Sequence, residues 1–126
     1  MKVFDTDIII WTQKGNLKAN KIIENTSSRA ISIQTYMELL QCPQNKLQQK
    51  IIKDFLNLFE FEVLPFTENI GHRASIYIEE YSLKSGLHSA DAIIAATATE
   101  NNLPLITSNK KHFKSIPDLE LEVFHP

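Results

Sequence analysis

Asp5, Asp7, Glu38 and Asp91 are the residues of this chain whose types and places suggest chemistry. Asp5 and Asp7 interrupt the apolar run Lys2-Val3-Phe4-Asp5-Thr6-Asp7-Ile8-Ile9-Ile10, which holds no basic residue beyond Lys2. A buried ionised carboxylate costs several kcal/mol unless it is paired, hydrogen-bonded or bound to a cation. Asp5 ends a first apolar segment, Glu38 follows a second, and Asp91 opens an alanine-rich stretch before another. Carboxylates gathered in one place repel one another unless a hard divalent cation sits among them. Mg²⁺ or Mn²⁺ suits such a site, taking oxygen ligands and keeping several waters. No histidine or cysteine cluster with zinc spacing competes. A cation held this way activates water and stabilises charge on a phosphodiester in transit. Plainer readings stand beside this one. Asp7 caps the helix that follows, Asp5 is a satisfied turn residue, and Asp91 complements a helix dipole.

Whether these acids meet depends on the elements that carry them. The first run is rich in β-branched residues and reads as a strand buried on both faces. Trp11 to Asn16 reads as a helical turn ending in a break, and Asn16 to Thr26 as an amphipathic helix. Ala30-Ile31-Ser32-Ile33 reads as a second strand, followed by a helix from Gln34 to Cys42 that Ser32 caps and Pro43 stops. Asn45 to Glu60 places Leu47, Ile51, Phe55, Leu58 and Phe59 at helical spacing. Phe61 to Phe66 reads as a third strand. Thr67 caps a long helix through Ser85 that Gly86 ends, with His72 a solvated or packed residue on it. The small-residue segment Leu87 to Glu100 predicts a helix pressed against the sheet. Leu105-Ile106-Thr107 reads as a fourth strand, and Leu119 to Phe124 alternates as a half-exposed edge strand. Strands separated by helices predict a single α/β domain over residues 1–126, with a mostly parallel sheet of four to five strands. In such a sheet the strand ends and helix starts that bear Asp5, Glu38 and Asp91 meet at one edge.

Bulk properties narrow the function. The chain has 126 residues, 43% hydrophobic and 22% charged, which is ordinary for a globular domain with a real core. A net charge of −2 excludes general polyanion binding by bulk electrostatics, so a nucleic-acid contact needs a local basic patch or bound cations. The one cysteine, Cys42, excludes an internal disulfide and is expected as a small buried residue. No signal-peptide pattern or run of the ~20 apolar residues needed to span a bilayer appears, so a cytoplasmic protein is expected.

Four segments resemble a known family in order. Val3-Phe4-Asp5-Thr6-Asp7-Ile8-Ile9-Ile10 is similar to the opening motif of PIN-domain ribonucleases, an Asp-Thr pair followed by Asn or Asp and an apolar run. Ser32-Ile33-Gln34-Thr35-Tyr36-Met37-Glu38-Leu39 resembles the second motif, with its functional Glu. His88-Ser89-Ala90-Asp91-Ala92-Ile93-Ile94-Ala95-Ala96 resembles the third. Leu105-Ile106-Thr107-Ser108-Asn109-Lys110-Lys111-His112-Phe113 resembles the fourth. Each is weak alone; four in order within so short a chain is specific. The size matches the VapC toxins of bacterial toxin–antitoxin pairs.

The resemblance implies Mg²⁺-dependent endonucleolytic cleavage of RNA, with Asp5, Glu38 and Asp91 at the family's metal-binding positions. Many members have Asp where this chain has Asn109, which brings an amide but no charge. Asp7 stands where Asn is commoner, so it either restores charge or caps the next helix, and capping is the expected role. Thr6 and Ser108 are expected to hydrogen-bond the ligating carboxylates. Lys110, Lys111 and Lys114 either contact RNA phosphates or form a solvated helix face, and His112 is expected to pack with Phe113. The implied partner is a small VapB-like antitoxin that inserts Arg or Lys into the acidic site and lays an apolar helix across a groove. The apolar residues of Leu17 to Ile23 and Leu47 to Phe59 are candidates for that groove or for a homodimer face. A binding module whose catalysis is degraded, marked by Asn109, is the competing reading. A response-regulator receiver is disfavoured because no Asp ends the Phe61–Phe66 strand.

Overall fold

The computed structural model describes residues 1–126. The chain runs β1 (Lys2–Phe4), α1 (Thr6–Gln13), α2 (Leu17–Asn25), β2 (Arg29–Ser32), α3 (Ile33–Gln41) and α4 (Lys46–Leu58). It continues β3 (Glu62–Leu64), α5 (Glu68–Ser85), α6 (Ser89–Glu100), β4 (Leu105–Thr107), α7 (Lys110–Phe113) and β5 (Leu121–Val123). The five strands form one parallel sheet in the order β3-β2-β1-β4-β5. The expected architecture is therefore the observed one. β1 lies at the centre, and the strand order turns back between β1 and β4, the place where open α/β sheets build sites.

Alternation along the short strands divides the core. Val3, Ala30 and Leu105 point to the face covered by α5 and α6, among Ile70, Ala74, Ala92, Ala95 and Phe113. Phe4, Ile31 and Ile106 point to the other face, among Ile8, Ile9, Ile23, Leu39 and Leu56. Alanines on α6 bring that helix close to the sheet and to α5, as the small-residue pattern predicts.

Helix limits follow local chemistry. Ser32, Asn45 and Thr67 each accept a hydrogen bond from the third backbone N–H beyond them, and Gly86 ends α5 at φ 73°. The first strand is shorter than expected. It stops at Phe4, and Ile8, Ile9 and Ile10 lie on α1. Asp5 makes the break: in extended conformation its side chain accepts from the Thr6 N–H and starts the helix. Asp7, expected as the cap, is instead in the first turn. Cys42, expected to be buried, is exposed at the end of α3. No helix is long and apolar enough to cross a membrane.

Candidate active site

The carboxyl ends of β1, β2 and β4 and the first turn of α6 share one edge of the sheet. Asp5 is the most buried of the acids there, 6% exposed. Its Oδ1 accepts from the Thr6 N–H at 2.8 Å and its Oδ2 from the Thr107 hydroxyl at 2.7 Å. Burial, followed by the charge of Asp7, pushes the Asp5 carboxyl up to about 8; the Thr107 and Thr6 hydrogen bonds pull it down, and Asp91 adds a further upward push. Asp7 accepts from the Ser108 N–H at 3.0 Å and from the Ser108 hydroxyl, so it ties α1 to the turn after β4. Burial raises its pKa too, and its Oδ1 is buried with no hydrogen-bond partner.

Glu38 is held by hydroxyls. The Thr6 Oγ1 lies 3.3 Å from Glu38 Oε1 and 2.9 Å from Thr35 Oγ1, which in turn lies 3.3 Å from Ser32 Oγ. An ionised carboxylate only accepts, so the single Thr6 proton points to Glu38 and Thr35 donates to Thr6. The result is a polarised chain from the β2 end to the Glu38 carboxylate. Burial raises the Glu38 pKa, Gln34 and Thr6 lower it, and the Asp91 charge raises it. Asp91 therefore bears electrostatically on both Asp5 and Glu38, which draws the three expected acids into one site.

Asp91 Oδ2 accepts from the His88 backbone N–H at 3.2 Å and lies 3.1 Å from His112 Nδ1. Asn109 donates its backbone N–H to the Thr107 hydroxyl at 2.9 Å, and its side-chain amide lies 2.8 Å from the same His112 nitrogen. Thr6 hydrogen-bonds Asp5 and Glu38, two of the acids expected as ligands, whereas Ser108 bonds Asp7 and none of those three. Lys110, Lys111 and Lys114 are exposed and form no ion pair. His112 is bound to Asp91 and edge-on to His88, with ring centroids 5.6 Å apart, a different environment from the packing against Phe113 that was expected.

Thr107 and Thr35 were not singled out from sequence, and His112 was singled out only as a residue packing with Phe113. Thr107 and Thr35 are each 0% exposed. A threonine in a strand carries no pattern that distinguishes a carboxylate partner from a β-branched filler. The placement of Thr107 at the end of β4, opposite the end of β1, was the available signal. Thr107→Val keeps the shape and removes both bonds, leaving Asp5 Oδ2 and the Asn109 N–H without partners. The expected cost is about 1–3 kcal/mol of stability, read from urea unfolding.

No lysine or arginine pairs with Asp5, Asp7, Glu38 or Asp91. Both arginines are engaged elsewhere, Arg29 with the carbonyls of Ile23 and Phe59, and Arg73 with Glu100 and Asp118. No three acidic, histidine or cysteine side chains stand close enough to make a ready-formed metal cluster. The donor set nevertheless fits a hard divalent cation. It is all oxygen, burial and like charge raise the pKa of Asp5 and Glu38 within it, and beside it Asp7 Oδ1 is buried without a partner.

Known proteins share this arrangement of elements. The PIN domain family model matches residues 2–119. This chain belongs to the PIN-domain family. Ribonuclease VapC1 of Methanocaldococcus jannaschii is 30% identical over 108 residues, which cover 81% of this chain and 74% of that protein. Ribonuclease VapC of Rickettsia bellii is 31% identical over 125 residues, covering 94% of this chain and 92% of that one. Among solved structures, a toxin–antitoxin complex from Klebsiella pneumoniae contains a chain 32% identical to this one. The two superpose with a TM-score of 0.79, covering 94% of this chain and 95% of that chain. The four motifs lie on the PIN domain as β1–α1, β2–α3, the start of α6, and β4–α7.

Proposed function

We propose that this PIN-domain chain is a divalent-metal-dependent endoribonuclease and the toxin of a VapBC-type pair, using Mg²⁺, or Mn²⁺ in its place. The observation that carries the reading is Asp5, a buried carboxylate raised to about 8 beside further acids, with no Lys or Arg to neutralise it. The relatives named as VapC ribonucleases and the similar chain in a toxin–antitoxin complex support the substrate class and the partner.

Asp5, Asp91 and Glu38 are the residues that would hold the cation, and its chemistry when bound is to activate water and stabilise charge on the phosphodiester. Thr107 and the Thr6 N–H keep Asp5 in place, while the Ser32–Thr35–Thr6 hydroxyl chain keeps Glu38 in place. Asp7 acts through Ser108, locking the turn after β4 to α1. Lys110, Lys111 and Lys114 stand free beside that turn to meet flanking phosphates. A VapB-like antitoxin would use the exposed apolar side of α4 and α2, where Leu17, Leu47, Ile51 and Leu58 are uncovered while Ile23 and Leu56 are core. A groove lined by Ile10, Leu39, Ile51 and Ile52 runs beside it.

Purified protein incubated with total cellular RNA tests the reading. Discrete fragments are expected with Mg²⁺, none with EDTA, and none from Asp91→Asn. A folded protein that cuts no cellular RNA with either Mg²⁺ or Mn²⁺ overturns it and favours the binding module.

A further inference from the structure

His112 Nδ1 has two neighbours that make opposite demands on it. Asp91 Oδ2 lies 3.1 Å away and, when ionised, only accepts, so that contact requires a hydrogen on Nδ1. A bare Nδ1 would set its lone pair against a carboxylate lone pair. The Asn109 amide lies 2.8 Å from the same nitrogen. One arrangement satisfies both. Nδ1 carries the hydrogen, and Asn109 turns its amide oxygen, not its NH₂, toward the ring. Nδ1 then donates to the carboxylate and to the amide oxygen together. The hydrogen is on Nδ1 in this neutral tautomer and in the imidazolium alike, so the arrangement does not depend on titration of the ring.

The ring also has neighbours on its other sides. His88 meets it edge-on at 78°, and Nε2 lies 4.0 Å from the point where a Cβ on Gly86 would stand. Both hydrogen bonds to Asp91 fall on Oδ2, from the His88 N–H and from His112, and Oδ1 accepts none. A carboxylate gripped by one oxygen is oriented and keeps the other for a ligand.

We propose that His112 is a positioning residue that aims Asp91 by donating from Nδ1 to its Oδ2, with Asn109 acting on His112 through its amide oxygen and not as a metal ligand. The proposal rests on the metal-site reading above and deepens it. It assigns Asn109 a function that needs no charge, so an amide in the fourth motif is not a mark of lost catalysis.

The experiment separates the two readings. Mn²⁺ alone is titrated calorimetrically into the parent, His112→Asn and His112→Gln, and the His112 ring carbon and nitrogen shifts are recorded at a pH where the ring is neutral. Asn places its amide nitrogen where Nδ1 stands; Gln places it a bond farther out. Loss of such a supporting bond weakens metal binding roughly 10–100-fold in His112→Gln, and His112→Asn stays within about threefold of the parent. The neutral ring is expected as the Nδ1–H tautomer. Equal affinities in all three proteins, or an Nε2–H tautomer in the parent, overturn the proposal and leave the metal site standing. A parent that binds no Mn²⁺ yet shows the Nδ1–H tautomer overturns the metal-site reading instead.

Discussion

Asp5→Asn is expected to abolish RNA cleavage and, in the same protein freed of metal, to raise stability at pH 8. The two effects have one cause. The folded chain buries the Asp5 carboxylate beside Asp7 and Asp91 and supplies only two hydrogen bonds in return. In the unfolded chain this group ionises near its ordinary value of 3.8; in the fold it does so at about 8. Between those values the folded state binds the extra proton, so stability falls as pH rises from about 4 to about 8. Below that window both states are protonated and nothing is lost. The full shift sets an upper limit of about 5 kcal/mol at pH 8, from about 1.4 kcal/mol per pKa unit. Local relaxation, and the loss of an acceptor for the Thr107 hydroxyl, bring the expected gain for Asp5→Asn to about 1–3 kcal/mol. Melting curves of the EDTA-treated proteins across pH 5–8 check this: the parent curve falls toward pH 8 and that of Asp5→Asn is flatter. Mg²⁺ restores the parent selectively at the upper end of the range, because cation binding needs the ionised carboxylate. Cleavage falls on the order of 10³-fold, as expected when a group that places catalytic charge is neutralised. A metal-free Asp5→Asn protein less stable than the parent at pH 8 would remove burial strain from Asp5. Cleavage that persists would remove Asp5 from the site.

The same carboxylate shows where sequence reasoning reached and where it stopped. Ile8, Ile9 and Ile10 extend an apolar run that begins at Val3, and a continuous apolar run has no period that separates strand from helix. The boundary lies in the Asp5 side chain, which caps α1. Asp7, two residues on, was the expected cap; Ser108, more than one hundred positions away in sequence, claims it instead. The long helix from Thr67 to Gly86 was legible because both of its ends carry local signals: a hydroxyl cap and a residue at positive φ. The parallel sheet was legible because alternating strands and helices admit few other topologies.

At the candidate site, the acids were legible because carboxylates in apolar segments need an explanation. The Thr6 hydroxyl was legible too, from its place in the first motif, but the Thr107 and Thr35 hydroxyls and the imidazole that hold them were not. Thr107, Thr35 and His112 act through contacts between elements distant in sequence, and nothing beside them in the chain announces those contacts. His112 had one local signal, its spacing of three from Asn109 at the start of a short helix. It acquires its partner only because α7 packs against the start of α6.

The chief apolar anchor of α7 is Phe113, and its removal is expected to cause a large stability loss outside the acidic site. α7 has four residues, too few to be stable without tertiary contacts. Phe113 is 0% exposed and packs in the core with Leu105, Ile116 and Leu119, while its neighbours Lys110 and Lys111 are exposed. Phe113→Ala leaves a cavity under the helix and is expected to cost about 3–5 kcal/mol, a large part of the ~5–15 kcal/mol that holds a domain folded. Phe113→Leu refills most of that space and costs about 1–2 kcal/mol. Urea unfolding gives both values. The link to function lies in the variant that stays folded. If Phe113 seats the helix that aims Asp91, Phe113→Leu weakens Mn²⁺ binding while leaving the β1–β2 core intact, since Phe4 and Ile31 pack on the opposite face of the sheet. A cost below about 1 kcal/mol for Phe113→Ala would mean that α7 is held by its backbone turn alone. The position of His112 would then owe nothing to the core beneath it.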